Sequence, residues 1–381
     1  MSRTRSTKAT PFYRRLAERV AELGGLWNAH LHLDRAATLD DVYMQSVGHR
    51  ILENSHISLR EKHGLIGSLH DGPAYESKDL RARVDQTIES MIEVGTTRAD
   101  TLVDVTADAV GFRALEVMLD AKRARASEID LRIGAYSPLG FRDDEPERWD
   151  VLEQGAGRAD FIGALPEADD TTDYPEHVGF FEHCRRTLLL GQKLNRSVHV
   201  HTDQRNEPSE NGTERLIEAV HEFGAPISSS GEPMIWAVHV ISPSTYDEPR
   251  FERVVAGLLE HNIGVICCPS AAIGMRQLRP VPTPTYNSIP RVLELLAAGV
   301  HVRLASDNVA DICSPSTTAD LTDEVFILSA ALRFYHVDVL ARLASGGRPD
   351  ESERAIVCDH LAHNEVEIRR ALRDADFSQG S

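Results

Sequence analysis

From about residue 78 onward the apolar positions of the chain fall into two alternating periods. Three- and four-residue spacing, the signature of a helix with one buried face, runs over 80–94, 109–126, 177–194, 213–223, 250–261 and 288–298. Between and around these lie short runs rich in apolar and β-branched residues, at 101–105, 131–136, 161–165, 197–201, 235–241, 264–268 and 300–305, which predict strands. Upstream, a helix-like segment over 11–24 ends at Gly24-Gly25 and leads into one more strand, beginning at Leu26 and Trp27. Eight strands separated by helices predict an α/β protein, a (β/α)8 barrel of the TIM type. The chain has no repeat of fixed period and no low-complexity linker. One barrel domain over 26–345 is therefore expected, with an N-terminal tail and helix (1–25) and a C-terminal helical tail (346–381). The polar, glycine-containing stretch 35–76, carrying His56, Arg60, Lys62, His63 and His70, is longer than a connector requires. It is expected to form a lid or substrate loop; the plainer alternative is one or two surface helices with solvated histidines.

A barrel of this kind presents its chemistry at the carboxyl ends of the strands, and that rule selects residues. His30 and His32 close the first strand in Asn28-Ala29-His30-Leu31-His32-Leu33-Asp34, and the two-residue period of a strand puts both on one side. His201 closes the fifth strand, His239 lies near the end of the sixth, and Asp307 follows the eighth in Ala305-Ser306-Asp307-Asn308. Three neutral imidazoles and a carboxylate suit one borderline divalent ion, zinc first and Fe2+ or Mn2+ as alternatives, better than magnesium or calcium. Such an ion activates a water. Asp307 is placed to take that water's proton and pass it to a leaving nitrogen, and His239 to orient the nucleophile or stabilise an oxyanion; a histidine satisfied within the core is the plain alternative for His239.

Composition narrows the partners. With 41 basic against 59 acidic residues the net charge is -18, which disfavours nucleic acid and anionic membranes. No apolar run reaches the roughly 18 residues that a membrane span needs, and the basic start from Arg3 to Lys8 reads as a tail. Five cysteines (Cys184, Cys267, Cys268, Cys313 and Cys358) without CxxC spacing read as reduced thiols of a cytoplasmic protein, Cys267-Cys268 as strand packing. The expected ligand is a small molecule.

At these motifs the chain resembles the amidohydrolase superfamily, in its cytosine deaminase-like branch. The resemblance runs through NAHLHLD (28–34), TLVDV (101–105), IGAYSPLG (133–140), FIGALPE (161–167), VHVHTDQ (198–204), AVHVIS (237–242), GVICCPSAAIG (264–274) and VHVRLASDNV (300–309). It implies that His30, His32, His201 and Asp307 match metal ligands, that His239 matches the histidine beside the activated water, and that one ion is bound. In keeping with one ion, 161–167 offers no lysine to bridge two metals, and Lys193 falls in a helix. Three departures argue against cytosine as substrate: Gln204 stands where the branch has a proton-shuttling glutamate, Asn308 where it has a second aspartate, and Pro138 where a glutamine reads the base. The superfamily's β-sandwich has no room here, so a bare barrel is expected, its ends covered in a homo-oligomer. Asn308, Gln204, Lys62 and His63 are the expected substrate contacts, and 203–213, with Arg205, Asn206 and Glu207, a surface loop. An amide cannot carry a proton through a cycle, so Gln204 favours hydrolysis of an amide, cyclic amide or urea-like C–N bond; the alternatives are hydrolytic deamination of a nitrogen heterocycle, or an inactive barrel that only binds.

Overall fold

The computed structural model describes residues 10–374 apart from 49, 51, 53–56 and 276–288, so the basic start and His56 lie outside it. Eight strands form one parallel sheet in sequential order: β1 (Leu26–Leu31), β2 (Thr96–Asp104), β3 (Asp130–Tyr136), β4 (Phe161–Ala164), β5 (Val198–Thr202), β6 (Ile235–His239), β7 (Ile263–Cys267) and β8 (Val302–Leu304). The sheet closes where the chain leaves β8. Asp307 bridges to Leu31, its N–H donating to the carbonyl of His30 at 3.0 Å while the N–H of His32 donates to the carbonyl of Asp307 at 3.2 Å. The expected (β/α)8 barrel is present, with strand ends shifted by a few residues.

Both faces of such a sheet are covered, which is why the strands read as near-continuous apolar runs. Leu131, Ile133, Val198, Val200, Ile235, Ala237, Ile263 and Val265 belong to the large core shared with the helices. Two smaller clusters stand apart from it, one of Ala29, Trp236, Val238, Ile266, Cys268 and Ala305, the other of Leu102, Tyr136, Phe161 and Leu165. In β1 an extra residue relative to β2 (Asn28 pairs with Ala99, Leu31 with Thr101) makes a β-bulge. Trp27 and Ala29 lie with Trp236, whereas Leu31 lies in the large core. The bulge, and not alternation alone, thus aims His30 and His32 into the barrel mouth.

The helices Leu321–Leu332 and Val337–Ala344 after β8 are absent from the sequence expectation, as is Glu147–Arg158 between β3 and β4. Gly155 and Gly157 dilute its apolar face, yet Gly155 is required because a Cβ there would meet Val105 at 2.7 Å. The stretch 35–76 folds into helices Asp41–Val47, Leu59–Gly64 and Ile66–His70 and a single turn at Pro73–Tyr75. Its histidines are not merely solvated, since His70 is buried against Asp104 and Asp108. Buried Arg83 ties the stretch down by donating to the carbonyls of Asp34, Ala36 and Ala74. No described helix is long and apolar enough to cross a membrane.

Candidate active site

The ends of β1, β5, β6 and β8 converge on one buried cluster. Ligand atoms of His30, His32, His201 and Asp307 all lie within 4.8 Å of one another. The Nε2 atoms of His30 and His201 are 3.2 Å apart, and Asp307 Oδ1 lies 3.7 Å from His30 Nε2 and 3.4 Å from His32 Nε2. None of the four residues is more than 4 % exposed. Chain geometry is bent to achieve this. His239, Val240, Asp203 and Asp307 take left-handed φ of 78°, 53°, 57° and 64°, a conformation unfavourable for non-glycine residues and above all for a β-branched one, and typical of functional sites.

The donor set fits a divalent cation. Asp307 Oδ1, which faces Nε2 of His30 and of His32, is buried without a hydrogen-bond partner, a polar atom that is costly to bury unless something binds there; Nδ1 of His30 and of His32, on the far side of each ring, and both ring nitrogens of His239 are buried without partners as well. His201 alone has its far nitrogen fixed, 2.9 Å from the carbonyl oxygen of Ala164, which orients the ring as ligating histidines require. Burial pushes the histidines down, His201 to about 4 and His30, His32 and His239 well below the ordinary range, so all four are neutral at pH 7, the form that ligates metal. Burial and then the Asp311 carboxyl push Asp307 up to about 7, and a cation beside it would bring it down.

Around the cluster lies a pocket walled by His32, Arg35, His63, Tyr136, Gln204, His239, Asp307 and Asn308. At about 20 Å3 it has room for about one water. A larger cavity of about 720 Å3 adjoins it, sharing Leu59 and His63 and lined further by Pro138, Tyr174, Glu167 and Arg205. Of the expected substrate contacts, Gln204, Asn308 and His63 line the metal-side pocket. Lys62 does not: its Nζ donates to the carbonyl of Cys313 at 3.1 Å. Pro138 faces the larger cavity, and Tyr136 is the β3 residue at the pocket. Within 203–213, Arg205 pairs with Glu210, and Asp203 is spent on the N–H groups of Gly212 and Thr213 that open the next helix.

Two site residues lie outside the sequence expectation. Arg35, 2 % exposed, reaches the pocket with its guanidinium 3.3 Å from Asp104 and 3.4 Å from Asn308 Oδ1. It follows Asp34 directly, and an arginine one step past the stretch that carries His30 and His32 was the available signal. Glu167 lies just past the end of β4. Its Oε2 accepts from Gln204 Nε2 at 2.8 Å and its Oε1 from the N–H of Asp203 at 2.7 Å; burial, Glu210 and Asp203 push it up to about 8. The rule that barrel chemistry sits at carboxyl ends of strands points to it.

No family model matches the chain. It is 27% identical over 281 residues to an uncharacterised protein of Haemophilus influenzae, covering 74% of this chain and 94% of that one. It is 22% identical over 293 residues to a pterin deaminase of Rhizobium rhizogenes, covering 74% of this chain and 63% of the relative. Among solved structures, 5-methylcytosine deaminase from Klebsiella pneumoniae with 5-fluorocytosine superposes with a TM-score of 0.69 at 23% identity, over 85% of this chain and 74% of that one. Strand order, closure and the superposition on this neighbour together make the chain a (β/α)8 barrel.

Proposed function

We propose that the protein is a mononuclear, metal-dependent hydrolase of a C–N bond in a small, polar, nitrogen-containing ring compound. The observation that carries this reading is the convergence of the Nε2 atoms of three neutral, buried histidines on Asp307, whose Oδ1 no hydrogen bond satisfies. His30, His32, His201 and Asp307 would hold the ion, zinc by the donor chemistry. When bound, the ion supplies Lewis acidity and a water of lowered pKa.

The chain's own residues do the rest. Asp307, the sole carboxylate of the cluster, takes the proton released as the C–N bond is attacked and returns it to the departing nitrogen. Neutral His239 has both ring nitrogens free and donates to the oxygen on which charge develops. Arg35, always charged, and Asn308 hold the ring's polar edge, and Tyr136 lies against it. A ring is larger than the pocket, so Leu59 and His63, both from the helix Leu59–Gly64, move aside to admit it, consistent with a lid role for that helix. The unpaired cysteines support a reducing, cytoplasmic setting, and a homo-oligomer is the assembly we expect.

Hydrolysis within an amide- or urea-type group is the reading Gln204 favours. Ring deamination is the second reading, supported by the deaminase relative and structural neighbour. Elemental analysis of the purified protein, joined to a screen of cyclic amides and nitrogen heterocycles that reads ammonia and ring absorbance separately, tests both. About one zinc per chain with absorbance lost and no early ammonia supports the first; ammonia with an intact ring supports the second. Absence of metal together with absence of turnover would return the barrel to a binding role.

A further inference from the structure

Gln204 is 5 % exposed and stands in the wall of the metal-side pocket with His32, Tyr136, His201 and Asp307. Its amide has two ends of opposite character, a donor NH2 and an acceptor carbonyl, and which one faces the pocket decides what the site can read. The NH2 end is occupied, because Nε2 donates to Glu167 Oε2 at 2.8 Å. The carbonyl Oε1 has no hydrogen-bond partner among the described residues. Glu167 is itself held in place by the backbone N–H of Asp203, 2.7 Å from its other oxygen. An ionised carboxylate only accepts, so it pairs with the NH2 of Gln204 and repels the carbonyl.

From this geometry we infer that Glu167 is a positioning residue that turns the carbonyl of Gln204 into the pocket, and that Gln204 selects substrates presenting an N–H there: lactams, imides and ring ureides. An amidine-type ring nitrogen brings a lone pair to the same place and meets the lone pairs of Oε1, with no proton to share. The inference rests on the hydrolase reading above and narrows its substrate class. The groups facing Glu167 are the carboxyls of Glu210 and Asp203 and the guanidinium of Arg205. Burial and the two carboxyls hold Glu167 up at about 8, so the lock is complete above that pH and loosens below it, where a protonated Glu167 can donate to Oε1 and let the amide turn.

The test uses the full-length, zinc-loaded protein and calorimetric binding at pH 9 and pH 6.5, with hydantoin and dihydrouracil as ring ureides, their N-methyl derivatives, and 2-(dimethylamino)pyrimidine, which has ring lone pairs and no N–H, as the amidine-type ring. Losing one hydrogen bond that leaves a buried carbonyl unpaired costs about 1–3 kcal/mol, so the wild type at pH 9 binds an N–H ureide about tenfold to a hundredfold more tightly than the derivative methylated at the nitrogen that meets Gln204. The ratio shrinks at pH 6.5. In Glu167→Gln, which keeps size and removes the charge, it shrinks at both pH values alike, while affinity for the N-methyl compound stays within a fewfold. Gln204→Glu, which can donate when protonated, shifts preference toward 2-(dimethylamino)pyrimidine. A wild type that prefers the amidine-type ring, or a methylation penalty unchanged by Glu167→Gln and by pH in protein with a wild-type melting curve, overturns the inference while leaving the hydrolase reading intact. Zinc-loaded protein that neither binds nor hydrolyses any compound of the panel or of the wider screen removes both.

Discussion

Asn28 is a latch between the first and last strands, and removing it has a cost that the structure allows to be worked out. Its Nδ2 donates to Ser306 Oγ at 2.9 Å and its Oδ1 accepts the Ser306 N–H at 3.0 Å; both residues are fully buried. Asn28→Ala strips both contacts. The Ser306 N–H then has no acceptor within the barrel, and its hydroxyl loses the donor it accepts from. An unpaired buried polar group costs about 1–3 kcal/mol. The hydroxyl can turn to a new partner and a water can enter the space left by the amide, so the expected loss is about 3 kcal/mol instead of the sum of two full penalties. Urea unfolding of chelator-treated protein is the assay, because bound metal would add its own stabilisation and mask the difference. The midpoint should fall with the slope unchanged. Ser306→Ala, which keeps the backbone contact, should lose less, about 1 kcal/mol, and the double variant should fall short of additivity because both changes break one shared contact. A loss under 1 kcal/mol for Asn28→Ala, or strict additivity, would refute the reasoning.

Asp307→Asn removes the only charge among the four proposed ligands. Zinc per chain should drop from about one toward zero, and the roughly 2.7 kcal/mol that the wild type gains at free zinc a hundredfold above Kd should vanish; retention of both would exclude Asp307 as a ligand. His70 provides a pH test: burial alone would lower it, but hydrogen bonds to Asp104 and Asp108 lift it to about 9. Because the folded value lies above the unfolded one, its contribution, on the order of 3 kcal/mol, is full below pH 6.5 and lost as pH rises through 9. His70→Gln should be less stable at pH 6 and should lack that alkaline decline in urea midpoints. Gly346 sits at φ +70°, and a Cβ there would enter the Trp27 ring, so Gly346→Ala should lower the melting temperature by several degrees, whereas Gly24→Ala, with open space at its Cβ, should cost only the backbone strain of its own positive φ.

The strand count and the positions of His30, His32, His201, His239 and Asp307 were legible because parallel barrel strands are buried on both faces and their carboxyl ends carry the polar exceptions. The helix Glu147–Arg158 was not legible, since Gly155, which lets it approach Val105 just past the end of β2, erases its period together with Gly157. Glu167 and Arg35 were missed for another reason: their meaning lies in pairing with residues distant in sequence, Gln204 and Asn308, and spacing along one chain does not encode such pairs. Lys62 was over-read, because a cation in a polar segment signals nothing about which carbonyl it will find. The bulge in β1 shows the limit of periodic reasoning most clearly, since one extra residue reverses the face on which everything after it lies.

The seam between β8 and β1 also fixes when the site can come into being. His30 and His32 leave the ribosome before His201, and Asp307 follows only after the last strand of the barrel has emerged, yet it is Asp307 whose backbone zips the last strand to the first. At about 5–20 residues per second, the hundred-odd residues between the end of β5 and Asp307 keep the three histidines waiting for about 5–20 s without their carboxylate. A nascent chain in that interval has an open sheet edge and only part of the proposed ligand set. Assembly of the proposed centre is thereby tied to completion of the barrel, and a truncated translation product ending before Asp307 lacks both the fourth proposed ligand and the closed barrel that would present it.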